Sequence, residues 1–357
     1  MAEYRPIDPH ADTGWDDFVR TSPDGWVWGL SGWQRLIERV EEWGLQPLSF
    51  EMRENGRRVA IMPLHLNRAG VAASSGWGWV GPMLAEGLPS EERRSILKRL
   101  MTHAEQIGQD AGASELIVGS PAIVRTNIEN IRGVNPFFPL GYEERSGNAL
   151  VIDLTVDETH LWSNLSANAR QEIRKAERQG WRAVQVNWRE HLDSYYNLHV
   201  ETYRRTGVEP HPKSYFSGIA EEIASVNHAV LWAGLNPQGQ PQAYHNDATL
   251  QGGCLYHTGC GTTDSLQYGI NYLLMWHSIR AAKMRGDRHY EIGEVFFDVR
   301  EGKQVGLTQF KSKFGGELYR THRARKKLVA PSSDHTPPST PPVPSPLSRL
   351  FSRFRNG

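Results

Sequence analysis

The chain reads as an α/β protein of two domains, on three observations: its length, its apolar content, and an order of helices and short strands that occurs twice. At 357 residues it exceeds the usual size of one core, so two domains of about 150 residues each are expected. Apolar residues make up 39% and include 12 Trp and 12 Tyr, enough surface to offset the ordering entropy of a packed fold, which excludes wholesale disorder.

The elements follow in order. Trp33, Leu36, Ile37 and Val40 recur at helical spacing, which predicts a helix over 33–43 with Ser31 as its cap. PLSFEMR and RRVAIMPLHL read as two strands, and Asn55-Gly56 between them predicts a tight hairpin. Residues 90–112 place Ile96, Leu97, Leu100, Ala104 and Ile107 along one helical face, and SELIVGS (114–120) follows as a buried strand. ALVIDL (149–154) is a strand lying where Gly- and Pro-rich loop gives way to a new helical block. The domain boundary is placed there, giving domains 1–155 and 156–330. In the second half, helices are predicted over 158–179, 192–206, 213–224 and 269–285. Strands are predicted at HAVLWAGL, QAYHNDATL, CLYHTGC and RHYEIGE. Helices alternating with short strands twice over argue for two similar α/β units.

Charge and cysteine content narrow the class. Lys plus Arg number 40 and Asp plus Glu number 40, so no global field drives the chain onto nucleic acid or anionic lipid, and DNA is not an expected partner. Two cysteines in a chain of this length point to a reducing compartment. The first residues lack a basic segment followed by an apolar run, and no stretch reaches the roughly 18 to 20 apolar residues that span a bilayer, so a cytoplasmic location is expected. Residues 331–346 are Pro-rich and read as a solvated linker. Over 347–357, Leu347, Leu350, Phe351 and Phe354 fall at i, i+3, i+4 and i+7 with Arg349, Arg353 and Arg355 among them. That pattern fits a basic amphipathic helix at the inner face of a membrane, a docking peptide for a partner protein, or a disordered tail.

Four segments carry a family resemblance. They are LWSNLSANARQEIRKAERQGW (161–181), with basic residues at near-helical spacing; Thr202, Arg205 and Gly207 followed by Tyr215 and Phe216; Asn271, Leu273, Leu274 and Trp276 leading to Glu291 and Gly293; and Phe310, Lys311, Phe314 and Gly315. In this order and spacing they resemble the FemAB group, the peptidoglycan interpeptide-bridge transferases and their relatives in the GNAT superfamily. The resemblance implies two tandem GNAT-like domains with mixed sheets flanked by helices. It also implies transfer of an acyl group from acyl-CoA or aminoacyl-tRNA to an amine on a lipid-linked, polysaccharide or related envelope precursor, with no tightly bound cofactor. Acetyl-CoA users of that superfamily generally show a Gly-rich pyrophosphate loop, and here the corresponding place reads TTDSLQYGINY with Gly269 alone. A non-catalytic binding platform with the same fold, recruited by its tail, is the alternative.

Direct acyl transfer needs a neutral amine, a positioned carbonyl, and positive or donor groups where the oxyanion forms. By resemblance Phe310 and Lys311 lie at the donor end, Lys311 as the cation that stabilises the oxyanion or holds the 3′ end of a charged tRNA; the bland alternative is a surface Lys beside a core Phe. Arg205 is a candidate phosphate clamp with Tyr215 closing the same pocket, and Tyr244, Asn271 and Trp276 complete the expected substrate contacts. His245 and Glu291, in predicted strands, are candidate proton acceptors, Asp247 being a near-equivalent because residues two apart share a face. For Cys254, His257 and Cys260, alternation puts the two thiols on one face and the imidazole on the other, so no metal site is expected.

Overall fold

The computed structural model describes residues 2–131 and 133–328; the linker and tail expected over 331–346 and 347–357 lie outside them. Among the described residues the chain divides into two compact units, one of residues 2–147 together with Arg320–Leu328, the other Asn148–Tyr319. The expected boundary at 155/156 thus falls a few residues late. The last strand, Glu317–Lys327, also runs out of the second unit, because its His322–Lys327 segment pairs with a strand of the first. No helix among the described residues is long and apolar enough to cross a membrane.

The first unit contains β1 (Ala2–Pro6), α1 (Trp15–Thr21), α2 (Ser31–Glu38), β2 (Gln46–Pro47), β3 (Phe50–Glu54), β4 (Arg57–Met62), β5 (Leu64–Leu66), β6 (Val71–Ser74), β7 (Met83–Leu84), α3 (Ser90–Asp110), β8 (Glu115–Ser120), α4 (Arg125–Ile128) and β9 (Glu143–Glu144). The predicted hairpin forms: Asn55 and Gly56 both take positive φ (49° and 77°), the geometry that Asn-Gly supplies without strain. The predicted strand after it splits at Pro63, which has no N–H to give to a ladder, so β4 stays in the sheet β1-β3-β4-β7 and β5 joins β2-β5-β6-β8. Ser31 does not cap α2. The Asp16 carboxylate does, accepting from the Ser31 N–H at 2.7 Å and its hydroxyl at 3.0 Å.

In the second unit lie β10 (Gly147–Asp153), α5 (Glu158–Asn164), α6 (Ala167–Arg178), β11 (Arg182–Val186), α7 (Trp188–Arg205), α8 (Lys213–Gly218), β12 (Ala229–Leu235), β13 (Pro241–Leu250), β14 (Gly253–Gly261), α9 (Ile270–Arg285), β15 (His289–Val295) and α10 (Lys303–Lys311). The helix predicted over 158–179 is broken at Leu165, and α6 restarts with Ser166 accepting from the Ala169 N–H. The sheet order is β11-β12-β13-β14-β15-β10, antiparallel throughout except for β14 and β15. On one face α5, α6 and α9 bury Leu161, Ile173, Leu273, Leu274, Trp276 and Ile279 against Leu150, Ile152, Tyr290 and Ile292. On the other, α7 packs along β13 and β14 and is followed by α8.

Both units contain a strand, a helix and a second strand parallel to the first, and in both the parallel ladder is three residue pairs long. In the first unit these are Val71–Ala73 opposite Glu115–Ile117. Beyond them the gap is filled by the protein's own loop. Ser75, Gly76 and Gly78 take positive φ, Trp77 stacks on Trp79 with ring centres 5.1 Å apart, and the Gly78 backbone lies so close to β8 that a Cβ on Gly119 would stand 1.9 Å from the Gly78 carbonyl oxygen. Gly119→Ala is therefore expected to destabilise the protein by about 1–3 kcal/mol, since backbone rather than a movable side chain must give way. Urea denaturation checks this, an unchanged midpoint counting against a tightly filled gap.

Candidate active site

In the second unit the parallel ladder pairs Gly253 with His289, Cys254 with Tyr290 and Leu255 with Glu291, and then stops. Each strand carries an extra residue just beyond or at that point. On β14 Tyr256 and Thr258 oppose the consecutive Asp247 and Asn246, leaving His257 as the bulge. On β15 Glu291 and Gly293 oppose the consecutive Val151 and Leu150, leaving Ile292. A bulge bends its strand and increases the local twist, and two of them drive these neighbours apart. Tyr256, His257, Thr258 and Gly259 are partly exposed although β14 lies in the interior of the sheet, and so are Gly293 and Glu294 across from them.

One side chain occupies the resulting notch. Lys311, at the C-terminal end of α10, is only 9% exposed and its Nζ donates to the Glu294 carbonyl oxygen at 2.8 Å. Gly293 lies under it with φ of 91°: a Cβ there would stand 2.9 Å from the Lys311 Nζ and 3.8 Å from the Tyr256 carbonyl oxygen. A side chain at Gly293 would both strain the backbone and displace the amine. Burial pushes the Lys311 ammonium down to about 8, and the Glu294 and Glu291 carboxylates hold it up against that fall. Phe310 braces the end of α10 through edge contacts with Tyr272 and Phe314, at ring-centre distances of 5.1 and 5.2 Å. Glu291 is buried at the last rung of the ladder, before the strands part. Lys311, Phe310 and Glu291 are thus brought together.

His245 is placed elsewhere. Its Nε2 bonds to Asp247 Oδ1 at 2.7 Å and Tyr290 Oη at 3.0 Å, at the interface of the sheet with α9. Asp247 is fully buried and also accepts from the Tyr290 hydroxyl (2.8 Å), the Ser278 hydroxyl (2.5 Å) and the Trp232 ring N–H (3.2 Å). Burial raises this carboxyl, but the charge and hydrogen bond of His245, with those from Ser278 and Tyr290, outweigh it and hold it below its ordinary value. The group pins β12, β13, β15 and α9 together just under the bulge, and the Tyr256 ring lies over His245 at 4.4 Å.

The other predicted residues divide. Arg205 gives its guanidinium to the Gly261 carbonyl (3.2 and 3.3 Å) and the Thr263 hydroxyl (2.9 Å), tying α7 to the end of β14. Tyr215 is buried with its hydroxyl 3.2 Å from His257 Nε2, and the Tyr244 hydroxyl lies 2.9 Å from His191 Nδ1. Trp276 is core, packed on Trp162 at 5.0 Å, and Asn271 is partly exposed in the first turn of α9. The face expected for the thiols is corrected by the His257 bulge, which shifts the alternation. Cys254 faces α9, in contact with Arg285, while Cys260 faces α7, its thiol near the Tyr195 carbonyl. The sequence reading missed Tyr256, His257 and Thr258 as notch residues, since no sequence signal marks this bulge. A surface hollow of about 540 Å³ among Arg189, Leu192, Ser217, Ala220 and Glu221 contains none of the predicted residues.

A parallel strand pair that parts beside a buried cation offers donor groups to a carbonyl. The comparisons with known proteins concern the family and the fold. Residues 163–312 match the family of acetyltransferase (GNAT) domains. The second unit is accordingly a GNAT-type acyltransferase domain, and the protein is an N-acyltransferase. At the level of the whole chain the fold is the FemAB-like tandem of GNAT units. The structure of FemX superposes with a TM-score of 0.70 at 13% identity, over 91% of this chain and 97% of that one. A tandem GNAT protein from the clavulanic acid biosynthesis pathway gives 0.61 at 14% identity, over 93% and 100%. L-PGS from Bacillus licheniformis gives 0.52 at 14%, over 82% and 90%. Among curated proteins none matches this sequence.

Because the Asp247 cluster lies under the bulge, its loss is expected to be costly. Asp247→Ala should destabilise the protein by about 3–5 kcal/mol, as it strands buried donors. The contribution of a carboxyl held below its ordinary value is full above the usual carboxylate range and fades as pH falls through the folded value. Equilibrium denaturation of the wild type and variant across acidic pH measures both; equal stability would mean that the cluster does not pin the sheet.

Proposed function

We propose that this protein transfers an acyl group from an activated donor to an amine on a cell-envelope, polysaccharide or related precursor, directly and without an acyl-enzyme intermediate, in the notch between β14 and β15. The observation that carries this reading is the Lys311 Nζ, buried in that notch over Gly293. A donor carbonyl there would develop negative charge as the amine adds, and an ammonium already fixed in a water-poor gap stabilises it without reorganising. Glu291, whose charge acts on Lys311 from the last rung of the ladder, would take the amine's proton. Phe310 acts through α10, by positioning Lys311. Asn271, Tyr215 and Tyr244 stand for acceptor or donor contacts. The hydrogen bonds of His245 and Arg205, and the packing of Trp276 on Trp162, support structural roles.

For the donor, one feature favours an aminoacyl ester over acyl-CoA. A pyrophosphate is bound in GNAT enzymes at the start of the helix equivalent to α9, where free N–H groups point outward. Here Gly269, which opens α9, is closed over by α6: a Cβ on it would lie 2.9 Å from the Glu172 carbonyl oxygen and 3.0 Å from the Glu172 carboxylate. Lys175 on the same helix donates to the Gln267 carbonyl at 2.9 Å. Glu172, with Lys175 3.7 Å from its carboxylate, thus occupies the place where a pyrophosphate would meet the helix start. FemX and L-PGS share the fold, and a charged tRNA as donor with a lipid-linked or nucleotide-linked acceptor fits the same arrangement.

Lys311→Met is expected to lower turnover about a hundredfold or more, with little change in acceptor binding, the pattern of an interaction made in the transition state. Transfer should also decline as pH rises through about 8, where the ammonium is lost. Labelled acyl-CoAs and charged tRNAs, supplied with envelope precursors, provide the assay. Undiminished turnover in the variant would remove Lys311 from the mechanism.

A further inference from the structure

The geometry points to Lys311 as a site of covalent self-acylation, in which the amine that serves the transferred carbonyl takes the acyl group itself when no acceptor is present. The inference rests on the reading that the donor carbonyl enters the notch. There, Lys311 Nζ donates to the Glu294 carbonyl at 2.8 Å and stands over the bare Cα of Gly293, 2.9 Å from where a Cβ would lie. The amine is fixed by α10, whose end Phe310 and Phe314 brace, so it keeps its place beside any carbonyl bound there. Glu291 and Glu294 face it from β15, and burial is the larger influence, so a useful fraction of the amine is uncharged near neutral pH.

The chemistry balances without a further reactant. The neutral Nζ adds to the acyl carbon and an N–C bond forms. The C–S bond of a thioester, or the C–O bond of an ester, then breaks, and the thiol or alcohol leaves with the proton shed by nitrogen. The product is an amide on Lys311. It has no charge and cannot return the acyl group to an amine at a useful rate, so each such event silences one molecule. The two fates of a bound donor have opposite pH signatures: transfer needs the ammonium and self-acylation needs the amine. They exchange over the same interval, around 8.

The test uses the full chain and two probes, 4-nitrophenyl acetate, which needs no donor recognition, and acetyl-CoA, followed by peptide mass spectrometry of every lysine. With the ester, Lys311 is expected to be acetylated about tenfold faster than the exposed lysines near neutral pH, its rate levelling off above about 8 while theirs keeps rising, and at the same low rate as the others once the chain is unfolded in urea. Lys311→Arg should abolish the fast phase and leave the slow labelling of other lysines unchanged. Labelling of Lys311 by acetyl-CoA as well would place that donor in the notch. Lys311 modified no faster than exposed lysines overturns the inference. If Lys311→Met still abolishes transfer in that case, the catalytic reading stands alone; fast labelling with undiminished transfer by Lys311→Met would leave a reactive lysine outside the mechanism.

Discussion

The separation of β14 from β15 is the constraint on which the rest of the second unit depends. A parallel ladder satisfies backbone groups on both strands, and ending it inside a sheet leaves them to water or to a ligand. In this unit's parallel pair the ladder ends after Leu255 and Glu291, where each strand carries a bulge against its antiparallel neighbour. What enters the notch from the protein itself is an ammonium on a four-carbon stem. A long side chain anchored on α10 can hold a charge there while leaving room beside it.

Holding that opening requires rigidity around it. Asp247, Ser278, Tyr290, Trp232 and His245 form a closed polar group on the α9 side of the sheet, directly beneath the residues that bulge. On the α7 side, the Thr258 hydroxyl is 2.8 Å from that of Tyr195, and Tyr215 meets His257. The bulge is thus fastened on both faces. A fully connected buried network of this kind specifies one arrangement of the strands, which a wholly apolar contact would do less strictly. The first unit shows the contrast: its parallel pair also ends after three rungs, but the Trp77–Gly78–Trp79 loop fills the gap.

Much of this fold was legible in the sequence, because periodicity and turn chemistry are local. The Asn55-Gly56 hairpin, the helix along Ile96 to Ile107, and the strands of the second half occur where the pattern puts them. The misses share a physical cause. Leu165 breaks a helix that looked continuous because Ser166 offers a cap to the next one, and Pro63 sends one apolar run into two sheets. Arg205 looked like an anion clamp because a sequence shows a cation and not the carbonyl that consumes it. His245 and Trp276 had the right residue types, and only packing shows that both serve the interior.

By itself the sequence determined the two-unit α/β organisation, since hydrophobic period and turn residues are properties of neighbours along the chain. The tertiary structure alone decided that the Lys311 amine is buried over Gly293 rather than exposed, that the two cysteines face opposite ways, and that α6 closes the start of α9. Each of these depends on where a strand gains one residue or where a distant helix comes to rest, and such positions are fixed by the sum of many weak contacts rather than by any segment alone.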